Sequence, residues 1–316
     1  MNGGGEAAGP RWSWALDIGG THVSAGAVDL AAGRIVPESR ITLPVDSAGS
    51  AEAILAAWTQ AASHAIATGR RWAASAGAGE RTRPAGGGLA MPGPFDYERG
   101  VCWIKGVNKY EALYGMNIRE ILVQRLGLGS DEPLVFRNDA VCFLLGECAW
   151  GAARGARNVI AVTLGTGLGS AFQREGRVVE SGPGVPPEGW FYSTPWGDGT
   201  AEDCFSTRGL LRRYGEAGGT PAAGGVKELA GRADAGEVLA RRVFSSFGRE
   251  LGEFLAPWAR AMPAEVIVVG GNIARAWAWF GSEVQSALAA EAPAVRVRRT
   301  ALWEDAALLG AAWLPI

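Results

Sequence analysis

The sequence predicts an α/β protein of two domains built on related plans. Strand-like apolar runs alternate with stretches of helical period along most of the chain. A strand–glycine turn–strand unit stands near the start, through Asp17-Ile18-Gly19-Gly20-Thr21. It returns from residue 159, through Leu164-Gly165-Thr166-Gly167-Leu168-Gly169. Such an echo is what a duplicated fold leaves in a sequence. The length, 316 residues, is long for one core and comfortable for two.

The elements follow in order. Trp12–Ile18 and 23–28 read as strands joined at Gly19-Gly20-Thr21, and 34–43, rich in β-branched residues, as a third strand. Ser50 is placed to cap a helix running to about residue 68, with Ile54, Trp58, Ala61 and Ala65 on one stripe. Residues 77–88, rich in Gly, Arg and Pro, read as a loop. Short strands follow at 89–91 and 101–104, then a helix over Ile118–Leu126 and a strand over 134–136 that runs into Asn138-Asp139. Residues 140–153 are apolar with a helical period. The second half opens with Val159–Leu164, a glycine turn and a returning strand at 170–173. Helices are expected at 201–215, 225–232 and 236–261. A buried-type strand at 265–269 ends in Gly270-Gly271-Asn272 and leads to a helix carrying Ile273, Trp277, Phe280 and Val284. A strand at 295–297 and a helix at 305–313 close the chain.

Composition sets bounds. Hydrophobic content of 48% and charged content of 20% are those of a globular protein. A net charge of −2 carries no electrostatic footprint for nucleic acid or an anionic membrane. No apolar stretch approaches the roughly 18 residues of a membrane span. Residues 1–10 lack the basic start and apolar centre of a signal peptide and read as a disordered tail. Cysteines 102, 142, 148 and 204 show no CxxC pair and read as reduced thiols, so a cytoplasmic location is expected.

Two glycine turns, each after a strand, suit two grips on a polyphosphate. Gly19 and Gly20 let the backbone present N–H groups to an anion, and Thr21 adds a hydroxyl. Asp17 is suited to hold Mg²⁺ through water. An ordinary hairpin turn explains the glycines but not a carboxylate at the strand end. In the second turn Gly165, Thr166 and Gly167 allow backbone amides to approach β- and γ-phosphates. Gly270, Gly271 and Asn272 form a third turn, suited either to adenosine packing or to a tight strand–helix junction. Asp139 has two competing uses: a helix N-cap, or a base that accepts a proton from a hydroxyl. If Asn138 takes the cap, Asp139 is free. Glu188 and Glu202 lie in 180–206 with Trp190, Phe191, Tyr192, Trp196 and Phe205. Carboxylates beside aromatic faces serve sugar recognition, and a surface loop with its own small apolar cluster is the alternative. His22 and His64 are the only histidines, and no His/Cys/Asp cluster has metal-ligand spacing.

In this order the motifs resemble the ROK family (repressor, open reading frame, kinase) of bacterial sugar kinases. The set comprises Leu16-Asp17-Ile18-Gly19-Gly20-Thr21, Met91-Pro92-Gly93-Pro94-Phe95-Asp96, Asn138-Asp139-Ala140, the glycine turn at 163–169, Val269-Gly270-Gly271-Asn272-Ile273 and Glu304-Asp305-Ala306-Ala307-Leu308-Leu309-Gly310. The resemblance implies two ribonuclease H-like, actin/hexokinase-type domains flanking a cleft: 11–137 completed by 304–316, and 138–303. It implies ATP-dependent phosphorylation of a hexose, glucose-like, at the 6-hydroxyl, with ATP and Mg²⁺. Asp139 would be the base. Asn138, Gly93, Asn108, Glu188 and Glu202 would hold the sugar, and the three glycine turns the nucleotide. A homodimer is also expected. Many members carry a zinc site with a His three residues after the first glutamate and a CxCGxxGC run. Here Phe191 stands in the His place and 193–200 holds no cysteine, so no zinc site is expected and aromatic packing by Trp190 or Trp196 should order the loop. With the phosphate motif so near the start, a repressor with a leading helix-turn-helix is not expected. The rival readings are a sugar-binding sensor without turnover and a polyphosphate-dependent glucokinase.

Overall fold

The computed structural model describes residues 10–78 and 83–314. Apart from Pro10, the tail expected over 1–10 lies outside the described residues, as does the middle of the loop expected over 77–88. The chain forms two compact units, one of Met1–Gly146 with Ala307–Ile316 and one of Glu147–Ala306.

The first unit contains strands β1 (Trp12–Ile18), β2 (His22–Asp29), β3 (Arg34–Ile35), β4 (Ile41–Pro44), β5 (Gly87–Met91), β6 (Phe95–Asp96), β7 (Val101–Cys102) and β8 (Leu134–Asn138). Its helices are α1 (Ala51–Ala73), α2 (Ile118–Leu126) and the start of α3 (Asp139–Ala149). The main sheet runs β3-β2-β1-β5-β8, with β4 also on β2. β1 and β2 are antiparallel, whereas β1, β5 and β8 are parallel. The expected single strand over 34–43 is two strands around a 3₁₀ turn, Pro37–Ser39. Pro37 cannot donate to a ladder, and the buried Ser39 hydroxyl bonds the Ala27 amide and Val36 carbonyl instead.

β1 is buried on both faces, with large residues on one and small on the other. Trp12, Trp14 and Leu16 face α1, whose Gly69 leaves room for the Trp12 ring. That contact carries the helix beyond the expected end near residue 68, tertiary packing outweighing glycine's poor helix propensity. Ser50 caps the helix, its hydroxyl accepting from Ala53 N at 3.3 Å.

The second unit repeats the plan. Its strands are β9 (Val159–Leu164), β10 (Leu168–Arg174), β11 (Arg177–Val179), the small ribbon β12 (Pro195–Trp196) with β13 (Gly199–Thr200), β14 (Val266–Gly270) and β15 (Arg296–Arg299). The main sheet runs β11-β10-β9-β14-β15, again an antiparallel hairpin followed by parallel strands. Helices α4 (Ala201–Phe205), α5 (Thr207–Glu216), α6 (Gly225–Asp234), α7 (Val238–Ala261) and α8 (Gly281–Glu291) supply the layers. The helix expected over 201–215 breaks at Ser206, whose extended backbone ends α4 and whose hydroxyl accepts from Gly209 N to start α5. After β14 the chain forms a 3₁₀ helix, Asn272–Trp279.

The last helix, α9 (Ala306–Trp313), returns to the first unit and lies on the small-residue face of its sheet. A Cβ on Gly88 would stand 1.8 Å from the Ala311 carbonyl oxygen, and one on Gly310 1.8 Å from that of Cys142 in α3. Glycine at both places therefore permits backbone-to-backbone packing. Among the described residues no helix is long and apolar enough to cross a membrane.

Candidate active site

In the first unit the candidate residues gather at the C-terminal ends of the parallel strands β1, β5 and β8, where open α/β sheets bind ligands. The register pairs Asp17 with Ala90, and Met91 with Asn138. Asp17, the Gly93 segment and Asn138-Asp139 thus share one sheet edge with the Gly19–Thr21 turn. Gly19 N closes that turn on His22 O at 3.0 Å. The buried Tyr110 hydroxyl donates to the Gly19 carbonyl. Thr21 Oγ1 lies 3.2 Å from His22 Nδ1. His64 Nε2 lies 3.1 Å from the Glu38 carbonyl oxygen.

Asn138 takes the capping position. Its Oδ1 accepts from Ala140 N at 2.9 Å, and its Nδ2 reaches the Tyr97 hydroxyl at 3.4 Å. Asp139 Oδ1 shares the Ala140 amide, also at 2.9 Å. The Asp139 side chain is open to solvent, yet desolvation by surrounding protein raises its carboxyl pKa. The Ala140 amide, the Asn138 side chain and the Lys109 charge pull the other way. Asp17 is raised to about 7, first by desolvation and then by the Asp139 carboxylate, with Arg40 opposing. Two carboxyl groups at one strand edge therefore resist joint ionisation. That suits a cation which takes few carboxylates and keeps several waters, as Mg²⁺ does.

Asn108 stands on an exposed turn with φ 55°, its N–H donating to Glu111 Oε1 at 3.0 Å. The residue after it, Lys109, was not singled out from sequence. Its stem and ammonium lie over the Gly19–Thr21 turn: a Cβ on Gly20 would meet Lys109 Cε at 3.2 Å and Nζ at 3.3 Å. The available signal was its rarity, since lysine occurs only at 105, 109 and 227.

In the second unit the Gly165–Gly167 turn and Gly270-Gly271-Asn272 share the corresponding edge, because Gly270 pairs with Thr163. Gly271 has φ 80°, and a Cβ there would stand 2.3 Å from the Leu164 carbonyl oxygen. Glycine is required at this junction. Gly165 N bonds Gly167 O at 3.0 Å, and Thr207 N bonds Gly165 O at 2.7 Å. Glu202 Oε2 accepts from Leu168 N at 3.1 Å and lies where a Cβ on Gly167 would be 2.8 Å away. One oxygen of this expected sugar ligand thus braces the glycine turn.

Glu188 is exposed with φ 57°. Glu202 N donates to the Tyr192 carbonyl at 3.2 Å, and desolvation and the Glu188 and Glu202 carboxylates raise the Tyr192 hydroxyl pKa, so the three residues form one neighbourhood. The loop is anchored mainly by Phe191, fully buried and packed edge-on against Phe172 and Phe254. Trp196 packs edge-on against Phe254, as expected of a loop anchor, whereas Trp190 leans on Tyr192. The Ser170 hydroxyl ties the loop backbone by donating to Gly189 O and accepting from Phe191 N.

Two sheets of one strand order, each with a glycine turn after its first strand, make this the actin/hexokinase-like pair of ribonuclease H-like units. The chain belongs to the ROK family, whose pattern matches residues 88–316. It is similar to a glucokinase of Thermotoga maritima, 27% identical over 253 residues that span 71% of this chain and 77% of that protein. Among solved structures it is similar to a ROK hexokinase from Thermus thermophilus, with TM-score 0.70, 27% identity and coverage of 96% and 97% of the two chains. It is also similar to the DNA-binding transcriptional repressor Mlc of Escherichia coli, 25% identical over 203 residues, 60% of this chain and 48% of the repressor.

Proposed function

We propose that the chain is an ATP-dependent sugar kinase that phosphorylates a glucose-like hexose at the 6-hydroxyl by direct in-line transfer. The observation that carries this reading is the division of labour at the start of α3. Asn138 supplies the cap, and Asp139, which shares the Ala140 amide through Oδ1, stands open to solvent at the strand edge that also bears Asp17 and the Gly19–Thr21 turn. A cap alone needs one side chain; two consecutive polar residues here suit a cap plus a base.

Asp139 accepts the proton of the sugar hydroxyl as its oxygen attacks phosphorus. Asn138 and the Glu188–Tyr192–Glu202 cluster orient the sugar. The glycine turns offer backbone amides to the phosphates. Asp17 would hold Mg²⁺ through water, and the ion supplies charge neutralisation at the phosphates when bound. ADP release measured across glucose, mannose, fructose, allose, N-acetylglucosamine and N-acetylmannosamine tests the reading. Turnover of at least one sugar is expected. Sugar binding with no turnover of any would favour the second reading, a sensor, which draws on the likeness to Mlc and on Phe191 standing in the core.

A further inference from the structure

We propose that Lys109 is a catalytic residue of this reaction, its ammonium contacting the transferring phosphoryl group at the Gly19–Gly20 turn. The inference rests on the kinase reading and adds to it a charge that the glycine turns lack.

The lysine is held in place by its neighbours rather than by partners of its own. Asn108 and Tyr110 both adopt left-handed backbone, φ 55° and 53°. Left-handed conformations on either side of one residue, neither of them glycine, cost energy and persist only where surrounding structure enforces them. Here the enforcement is visible. Tyr110 is fully buried, its ring packs edge-on against Trp58, and its amide bonds Ser47 O at 2.6 Å. Its hydroxyl donates to the carbonyl of Gly19 in the phosphate turn itself. The Asn108 amide is bound by the Glu111 carboxylate. The residue between is thereby fixed over Gly20, with its Nζ 3.3 Å from where a Cβ would be. Among the described residues the ammonium has no ion-pair partner, although the charge acts on Asp139 in the direction that favours its ionised form. An unpaired cation beside a glycine turn and the Asp139 carboxyl is suited to a phosphoryl oxygen.

In the step, Asp139 takes the hydroxyl proton and the sugar O6–phosphorus bond forms. The bond from phosphorus to the ADP oxygen breaks, the electron pair leaving with ADP. Lys109 stays protonated throughout and donates a hydrogen bond to an equatorial oxygen.

The test compares wild type with Lys109→Met and Lys109→Arg in two measurements. The first is binding of Mg·AMPPNP and Mg·ADP by calorimetry, which needs no turnover. Wild type should prefer AMPPNP, and Lys109→Met should lose most of that preference while keeping its ADP affinity. The second is steady-state turnover of the best sugar. Lys109→Met should lower kcat about 10²-fold, as removal of one oxyanion donor does, with sugar KM little changed. Its acid limb should move to higher pH, because Asp139 loses a favourable charge, and Lys109→Arg should restore part of both. An unchanged AMPPNP preference together with kcat within two-fold of wild type overturns the role of Lys109 and leaves the kinase reading standing. Wild type that binds AMPPNP yet turns over no sugar sinks the kinase reading, and the binding comparison still decides whether Lys109 meets the terminal phosphate. Absence of AMPPNP binding in wild type sinks both.

Discussion

The two glycine turns occupy the same place in the same sheet plan and differ in what surrounds them. β1 enters its turn as Asp17-Ile18-Gly19-Gly20-Thr21, and β9 as Thr163-Leu164-Gly165-Thr166-Gly167. Asp17 pairs with Ala90 on the parallel neighbour and Thr163 with Gly270, so the two residues are equivalent in register. The first turn is flanked by titratable groups, Asp17 and Asp139, and by Lys109. The second is held mostly by backbone bonds and by Glu202, whose oxygen accepts from Leu168 N. Duplication supplied two glycine turns at equivalent strand ends. Divergence set two carboxyl groups and an ammonium around one and a single carboxylate, Glu202, beside the other. Proton-transfer mutations should therefore act through the first unit, and mutations of packing and shape through the second.

The largest expected effect is that of Asp139→Asn, which keeps shape and the Ala140 hydrogen bond but removes the proton acceptor. The rate should fall by roughly 10²–10⁴ with sugar affinity largely kept. Turnover within a few-fold of wild type would reduce Asp139 to a second cap and dissolve the asymmetry.

Next is Phe191→Ala in the second unit. The ring is fully buried among Phe172, Phe254 and Trp258. Truncation should cost about 3–5 kcal/mol of stability, read by denaturant midpoint, and raise sugar KM more than nucleotide KM. Equal changes in both constants would show that the loop is not a sugar element.

The sequence carried the duplicated plan because hairpin, glycine turn and parallel strands leave a local apolar and glycine signature. It also carried the helix start at Asn138-Asp139, where an Asn or Asp cap is a local signal and both side chains accept from Ala140 N. Breaks at Pro37 and Ser206 were harder to read, because β-branched and helix-forming neighbours favoured continuity until Ser39 and Ser206 found partners distant in sequence or across a bend. Lys109 was not legible. Its position depends on Tyr110 reaching back to Gly19, ninety-one residues away in sequence, and on backbone conformations that neither Asn108 nor Tyr110 announces. Phe191 was read as the loss of a ligand, and its work in the core depends on α7, which supplies Phe254 and Trp258.

The charge asymmetry should also appear as pH dependence. Asp17 is raised from 3.8 to about 7, so the folded state binds its proton more tightly than the unfolded chain does. The stability this confers is complete below pH 3.8 and is lost as pH rises through about 7. In Mg²⁺-free buffer the Tm of wild type should fall between pH 5 and pH 8 by more than that of Asp17→Asn. The corresponding difference in unfolding free energy should be on the order of 1–2 kcal/mol, less than the shift alone implies because Asp17 is partly exposed and coupled to Asp139. Added Mg²⁺ should reduce it. Parallel pH profiles for the two proteins would place no strained carboxyl pair at the first turn.

The smallest effects concern the braces of the turns. Tyr110→Phe removes the donor to the Gly19 carbonyl, and Glu202→Gln removes the charge that accepts from Leu168 N but keeps an oxygen for the bond. Each single hydrogen bond contributes about 0.5–1.5 kcal/mol net, so both variants should fold with modest losses. They should differ in kind. Tyr110→Phe loosens the segment that fixes Lys109 and should lower kcat several-fold, with little change in sugar KM. Glu202→Gln alters a residue that belongs both to the turn and to the Tyr192 cluster, so sugar and nucleotide KM should rise together by a few-fold while kcat holds. Steady-state constants for the two variants, measured side by side, separate the outcomes. If Tyr110→Phe raised both KM values and Glu202→Gln lowered kcat alone, the roles assigned to the two turns would be exchanged. The brace of the second turn would then serve the chemistry, and the brace of the first would serve only binding.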